Sequence, residues 1–430
     1  MVGQIFIETL GCRTNQYESS CILDDFLKAG WTQASTIYNA DMVIINTCSV
    51  TNRTDYKSRY LISKAKDIKR KNHTVVIVVT GCYSQTKSEE ILADGCVDFI
   101  VDNNDKHNIY KYLQSNLTPK EIAFSTSNSF TDFMEMTTTS MSDKSRAILK
   151  IQDGCDCDCA YCIVPALRGK SRSRSVESIK QQVLLLLDHG HTEIVLSGIN
   201  LGLYHSTENL STLLYTLAKY DKLKQIRLSS IEPHLSTDDP LNAVKEIDKI
   251  CPHFHLPLQT GCDTLLKIHN RKYTTRQFRD LTEKLNKIKP DCAIGFDIIA
   301  GLPNETDELF AETLQFLESI DFAYLHTFVY SRRKNTKAAT MPQVNGTIAK
   351  QRSKILINLF ETKKEKYINK LIQKKIPLYA IGETYDKKNK TYSGTSDRYV
   401  KVYTKKQIDN DTPLIPTKPI NDGIFCETHK

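Results

Sequence analysis

The sequence has no hydrophobic run long enough to cross a bilayer. Its opening, Met1-Val2-Gly3-Gln4-Ile5-Phe6-Ile7, lacks the basic head and cleavage site of a secretory signal. The two absences set the expectation of a cytoplasmic protein with no membrane partner. An acidic excess is missing too: 58 Lys and Arg stand against 50 Asp and Glu, a formal charge of +8. That balance suits an anionic partner such as RNA without requiring one. The 430 residues, 40% hydrophobic and 25% charged, suffice for two or three globular domains. Cysteine, by contrast, is plentiful at 13. The odd number argues against complete pairing, a secreted disulfide scaffold would be shorter, and a reducing compartment does not maintain disulfides. Metal or cluster ligation accounts better for some of these thiols.

In the first hundred residues, apolar strands at Ile5-Phe6-Ile7, Met42 to Ile45, Val75 to Val79 and Phe99 to Val101 alternate with helical stretches such as Glu18 to Ala29 and Thr54 to Lys69. This pattern predicts an open parallel α/β sheet over residues 1–122. Residues 123–145 are Ser/Thr-rich and read as a linker or inserted loop. Alternation resumes over 146–372, with strands at Ala147 to Ile151, Glu193 to Leu196, Gln225 to Leu228, His253 to Leu258, Ala293 to Ile299 and Tyr324 to Val329. Six such units fit a partial (β/α)6 barrel better than a closed eightfold one. After a lysine-rich helical stretch, residues 373–430 are short, β-like and turn-rich, as in a small all-β barrel.

Cys155, Cys159 and Cys162 are spaced C-x3-C-x2-C directly after the first strand of the second domain. One short loop of this kind wraps three thiolates around a single soft metal centre. Three ligands on a four-iron cluster leave one iron open to a substrate or cofactor. A zinc site using Cys157 as a fourth thiol is the alternative, although zinc ligands more often come as paired C-x2-C units. Cys12, Cys48 and Cys82 form a second set. Each immediately follows one of the first three strands, in Thr9-Leu10-Gly11-Cys12, Ile45-Asn46-Thr47-Cys48 and Thr80-Gly81-Cys82. Loops at the carboxyl ends of parallel strands share one edge of the sheet, so the three thiols are expected to face a common metal. Three separate core thiols are the alternative. Cys96 precedes the fourth strand and is expected at the opposite edge.

The C-x3-C-x2-C loop resembles that of the radical S-adenosylmethionine (SAM) superfamily. The whole order of domains resembles the methylthiotransferases, with a C-terminal barrel similar to a TRAM domain. Asn15-Gln16-Tyr17-Glu18, Val79-Thr80-Gly81-Cys82-Tyr83 and Arg227-Leu228-Ser229-Ser230-Ile231-Glu232-Pro233 look most like the branch acting on threonylcarbamoyladenosine at tRNA position 37. The resemblance implies two [4Fe-4S] clusters and SAM. One cluster, on Cys155, Cys159 and Cys162, would generate the radical that abstracts hydrogen from adenine C2. The other, on Cys12, Cys48 and Cys82, would carry or supply the sulfur. No catalytic residue beyond these ligands is implied. An unactivated aryl C–H bond is beyond acid–base chemistry, so a cofactor must carry the difficult step. The implied partners are the tRNA anticodon stem-loop, an electron donor such as flavodoxin or ferredoxin, and a sulfur source.

Less specific matches suggest SAM contacts at Tyr161, Ser197, Gly198, Asn200, Gln259 and Arg271. Their bland alternatives are core packing for Tyr161, a strand-end turn for Gly198 and a solvated charge for Arg271. Arg168-Gly169-Lys170-Ser171-Arg172-Ser173-Arg174 is either a solvated charge run or a phosphate contact. Asn304 and Asn335 stand where the family usually has glycine, and asparagine is the next-best residue for a left-handed turn. Lys387, Lys388, Lys390, Arg398, Lys401, Lys405 and Lys406, among Tyr392, Tyr399 and Tyr403, suit an RNA stem-loop. Alternatives to the threonylcarbamoyladenosine substrate are isopentenyladenosine in tRNA and a ribosomal-protein aspartate. A non-catalytic iron–sulfur RNA-binding sensor is the alternative of another class.

Overall fold

Runs of β-branched residues separated by helices produce the expected parallel sheet at the N-terminus. In the computed structural model, which describes residues 3–93, 95–115, 131–139, 141, 146–235, 237–420 and 422–428, the chain divides into two compact units. One comprises residues 1–142, 148–156 and 163–189; the other comprises 143–147, 157–162 and 190–430.

The first unit begins β1 (Gln4–Thr9), α1 (Arg13–Lys28), β2 (Thr32–Gln33), β3 (Met42–Thr47), α2 (Asn52–Lys71), β4 (Val76–Gly81), α3 (Cys82–Thr86) and β5 (Phe99–Val101). The strands lie in the order β2-β1-β3-β4-β5, all parallel. The central strand β3 is buried at every position, as a continuous apolar run in a parallel sheet should be. Val43, Ile45, Ile77 and Val79 pack against Ile62, Ala65 and Ile68 of α2. A capping box between Thr51 and Thr54 starts that helix. The edge strand β2 is two polar residues long and carries no apolar signal in the sequence.

Part of the expected linker is packed structure. The Tyr17 hydroxyl donates to the Met136 carbonyl at 2.6 Å, Gln182 exchanges hydrogen bonds with the Thr138 backbone, and Met136 and Thr138 are buried. The apolar Met136 and the local backbone bonding override the polar composition there. Residues 123–130, 140 and 142–145 of that stretch lie outside the described residues. After β6 (Ala147–Lys150), β7 (Gln152–Asp153) pairs antiparallel with β8 (Arg172–Ser173).

In the second unit β9 (Glu193–Ser197) pairs parallel with β10 (Gln225–Leu228). The strands β11 (His253–Gln259), β12 (Ala293–Ala300) and β13 (Tyr324–Val329) form a second parallel set. Between the two sets the backbone bonding thins to isolated links, such as the Ile226–Ile250 bridge. All six expected strands are present. Asn304 and Asn335 both adopt a φ of +65°, as their turns require. A 28-residue helix (Gly346–Gln373) leads to β14 (Ala380–Asp386), β15 (Thr391–Ser396), β16 (Lys401–Thr404), β17 (Leu414–Ile420) and β18 (Gly423–Thr428), ordered β14-β15-β16-β18-β17. Paired backbone bonds between Leu378 and Leu414 join the two ends and close a small barrel. Leu378, Ala380, Val402, Leu414 and Ile424 fill it, with Leu371 of the long helix against them. Among the described residues no helix is long and apolar enough to cross a membrane.

Candidate cluster sites and nucleic-acid interface

Cys12, Cys48 and Cys82 follow β1, β3 and β4, which are adjacent in the sheet, so their loops meet at one edge. Gly11 has a φ of +95°, and a Cβ there would sit 2.6 Å from the Cys48 Sγ. Gly81 has φ 100° and ψ −170°, a region essentially closed to other residues, and a Cβ there would lie 2.3 Å from the Thr47 carbonyl oxygen. The glycines therefore let neighbouring cysteine loops touch. Asn15 ties two loops together, donating to the carbonyls of Leu10 (2.9 Å) and Thr47 (3.0 Å). Thr47 reaches the third by donating to the Thr80 carbonyl at 2.6 Å. Cys12 is exposed at the N-cap of α1, while Cys48 and Cys82 are buried. Burial, then the neighbouring Cys12 and Cys82, pushes the Cys48 thiol up to about 11. Three thiolates in such a place are stable only on a cation, which fits a metal cluster. Cys96 interacts electrostatically with Arg70 near the end of α2, away from this edge.

Beneath these loops the sequence gives no hint of what the fold assembles. Glu18 is fully buried and accepts from Lys106 Nζ (2.7 Å), Lys150 Nζ (2.8 Å) and Arg168 Nη1 (3.0 Å). Asp153 accepts from Lys150 (2.7 Å) and Arg168 (3.0 Å). Burial alone would raise both carboxyls. The cations outweigh it, holding Glu18 well below its usual range and Asp153 at about 2. Arg168, from the basic segment, is thus an interior group. Arg174 is equally buried, bonded to the Tyr17 hydroxyl at 2.8 Å and paired with Glu135. Of the segment's charged residues only Lys170 is exposed. A cavity of about 390 Å³ opens beside this network, with Asn103, Asp153, Arg168 and Arg172 among its walls.

The C-x3-C-x2-C loop lies between β7 and β8 and straddles the boundary between the two units, with Cys155 in one and Cys159 and Cys162 in the other. In the first, the Cys155 amide donates to the Gly169 carbonyl at 3.1 Å. A Cβ on Gly154 would lie 1.9 Å from the Lys170 carbonyl oxygen. In the second, Arg271 Nη1 donates to the Cys159 Sγ at 3.1 Å and to the Tyr161 hydroxyl at 3.4 Å. Its other nitrogens bond Glu232, the Pro257 carbonyl and the Tyr273 hydroxyl. Arg271 is 8% exposed, which rules out a freely solvated charge.

Ser197 ends β9 fully buried, Gly198 follows it, and Asn200 Nδ2 points at the Cys157 Sγ from 3.7 Å. Gln259 ends β11 at a break in register with a φ of +69°. A non-glycine residue held in that region at a strand end marks a local constraint of the kind found at ligand sites. Sequence reasoning missed Glu232 as a partner of Arg271, although it lies in the motif running from Arg227 to Pro233.

It also missed a chain of polar groups across β11, β12 and β13. His253 Nε2 and His255 Nδ1 share the Tyr324 hydroxyl (2.8 and 3.1 Å), His255 Nε2 meets Asp297 at 2.9 Å, and His326 Nδ1 meets the same carboxylate at 3.2 Å. His255, Asp297 and His326 bring three donor atoms within 4.8 Å, a geometry compatible with a metal ion. Their mutual hydrogen bonds account equally well for it. Burial opposes ionisation of Asp297, but the two histidines hold it well below the usual carboxylate range.

In the C-terminal barrel Lys387, Lys388 and Lys390 are exposed on the β14–β15 turn. Lys405 Nζ bonds the Asn389 carbonyl at 3.0 Å, drawing the exposed Lys405 to the same turn. Tyr385 and Tyr392 pack beside it, their rings tilted by 40° with centroids 4.6 Å apart. Arg398 and Tyr399 do not belong to this face. Arg398 bonds the Asp291 carbonyl, and the Tyr399 ring packs on His253 at 4.7 Å. Arg227, from the motif shared with the threonylcarbamoyladenosine branch, is fully buried and holds the barrel by donating to the carbonyls of Ser396 and Asp397.

Residues 4–102 match the family described as uncharacterized protein family UPF0004, and residues 149–317 match the radical SAM superfamily. The chain is 37% identical to the threonylcarbamoyladenosine tRNA methylthiotransferase MtaB of Bacillus subtilis, covering 99% of this chain and 96% of that protein. It is 31% identical to a tRNA-2-methylthio-N(6)-dimethylallyladenosine synthase of Clostridium botulinum, covering 95% and 88%. The radical SAM methyltransferase TsrM of Kitasatospora setae superposes with a TM-score of 0.59 at 11% identity, over 79% of this chain and 77% of that one, an agreement of fold alone. Identity sustained over essentially the whole length, on a chain carrying both cysteine sets, means that this protein belongs to the radical SAM methylthiotransferase family.

Proposed function

We propose that the chain converts N6-threonylcarbamoyladenosine at position 37 of tRNA to its 2-methylthio derivative. The convergence of Cys12, Cys48 and Cys82 on adjacent strand ends carries this reading, because a radical enzyme that only abstracts hydrogen has no use for a second thiol triad. The higher identity to the threonylcarbamoyladenosine enzyme than to the dimethylallyladenosine enzyme supports the choice of base. When bound, two [4Fe-4S] clusters and SAM supply radical hydrogen abstraction at the adenine and the methylthio group itself.

The chain's own residues hold and orient these groups. Cys155, Cys159 and Cys162 ligate one cluster, and Cys12, Cys48 and Cys82 the other. Arg271 steadies Cys159 with a charge-assisted bond. Tyr161, Ser197, Gly198, Asn200, Gln259 and Arg271 are the residues that would hold SAM. Residues 1–122 serve as the methylthiotransferase domain, 146–372 as the radical SAM domain and 373–430 as a TRAM-like RNA-binding barrel. The exposed lysines of the β14–β15 turn take the phosphates of the anticodon stem-loop, with Tyr385 and Tyr392 beside them. The reaction runs in the cytoplasm, with flavodoxin or ferredoxin as electron donor and a separate sulfur source.

Mass spectrometry of tRNA nucleosides from a deletion strain, with and without this protein, tests the substrate. Loss of methylthio-threonylcarbamoyladenosine and its return on complementation support the proposal. Loss of the isopentenyl analogue overturns it.

A further inference from the structure

The buried network under the first three cysteine loops carries more positive than negative charge. Lys106, Lys150 and Arg168 stand against Glu18 and Asp153, and all five side chains are at most 6% exposed. Arg172, its side chain 8% exposed and 3.6 Å from Asp153, adds a further cation at the margin. Excess charge in a protein interior is costly unless an opposite charge lies near.

The geometry shows where that charge belongs. Lys106 Nζ also bonds Asn46 Oδ1 at 3.0 Å, and Arg168 Nη2 bonds Asn15 Oδ1 at 2.7 Å. Asn15 and Asn46 are the residues that brace the cysteine loops, with Asn46 donating to the Asn15 carbonyl at 3.1 Å. Both Lys106 and Arg168 interact electrostatically with Cys82, and Arg168 also with Cys12. Lys106 and Arg168 thus lie behind the thiols. A four-iron cluster on three thiolates becomes more negative on reduction, so fixed cations in a low-dielectric interior favour its reduced form.

We propose that Lys106 and Arg168 are positioning residues that raise the reduction potential of the cluster held by Cys12, Cys48 and Cys82. The inference rests on the assignment of that cluster under the proposed function. It gives the buried ion network a role that a purely structural set of pairs would not have.

The test uses the full chain with Cys155, Cys159 and Cys162 replaced by alanine, so that only the N-terminal cluster is present. After anaerobic reconstitution, its potential is measured by redox titration followed by electron paramagnetic resonance. Lys106→Met removes a cation and is expected to shift the potential downward. Glu18→Gln removes an anion from the same 2.7 Å pair and is expected to shift it upward. Opposite shifts support the proposal, since mere loosening of the pair would act in the same direction in both variants. Shifts of one sign, or none, overturn it. Should Lys106→Met fail to fold, Arg168→Gln, at the other cation that interacts with Cys82 and Cys12, replaces it with the same expected direction. A parent that holds no iron overturns the cluster assignment and this inference together, whereas a loaded parent with sign-blind variants overturns only the inference.

Discussion

Replacing Arg168 by alanine separates an interior ion pair from a surface phosphate contact. Arg168 is 2% exposed and donates to Glu18, Asp153 and Asn15 at 2.7–3.1 Å. Its loss leaves two buried carboxylates short of a partner, and breaking such a buried pair costs about 3–5 kcal/mol. For a unit of this size, that corresponds to a fall in melting temperature of roughly 10 °C. Scanning calorimetry of the full chain reads the stability, and tRNA affinity at several salt concentrations reads the electrostatics. The expected result is a large loss of stability in the N-terminal unit. An unchanged melting temperature with weaker tRNA binding and a shallower salt dependence would refute the interior assignment, because that is how a solvated phosphate contact behaves.

The exposed lysines behave oppositely. Lys387→Ala, Lys388→Ala and Lys390→Ala together should leave the melting temperature nearly unchanged and reduce the salt slope of tRNA binding by about one for each phosphate no longer neutralised. Gly81→Ala should prevent iron loading at the N-terminal triad, since its Cβ would meet the Thr47 backbone and the backbone itself would carry about 1–3 kcal/mol of strain. Iron analysis of the Cys155/Cys159/Cys162→Ala background checks this, and a normally loaded variant would contradict it. Acid sensitivity follows from Asp153, held at about 2 against an ordinary value of 3.8. A depressed carboxyl adds stability that is present above pH 4 and lost as pH falls toward 2, here about 2 kcal/mol. Unfolding of the cluster-free chain, followed in denaturant from pH 5 to pH 2, should show the decline in that window.

The two cysteine sets are legible in the sequence because their signals are local. One is a spacing within eight residues, and the other a repeated position after β1, β3 and β4. Parallel topology then converts that repeated position into proximity. The ion network is not legible, since Glu18, Lys106, Lys150 and Arg168 are scattered along the chain and each looks like an ordinary solvated charge. Only the packing of α1 against Lys106 after β5, Lys150 at the end of β6 and Arg168 between β7 and β8 makes them neighbours. Arg398 and Tyr399 mislead for the same reason. Composition counts them with an RNA-facing cluster, while the fold turns them toward Asp291 and His253. The Ser/Thr-rich stretch before the second domain reads as linker from its average polarity, yet Met136 and Thr138 within it are buried.

The separate roles of the two thiol triads are tested most directly by iron content and SAM cleavage in two triple variants. The unaltered chain should hold about eight irons after anaerobic reconstitution, and each triple alanine variant about four. The variant lacking Cys12, Cys48 and Cys82 should still cleave SAM, and the variant lacking Cys155, Cys159 and Cys162 should not. Loss of all iron from the first variant, or SAM cleavage by the second, would contradict the account.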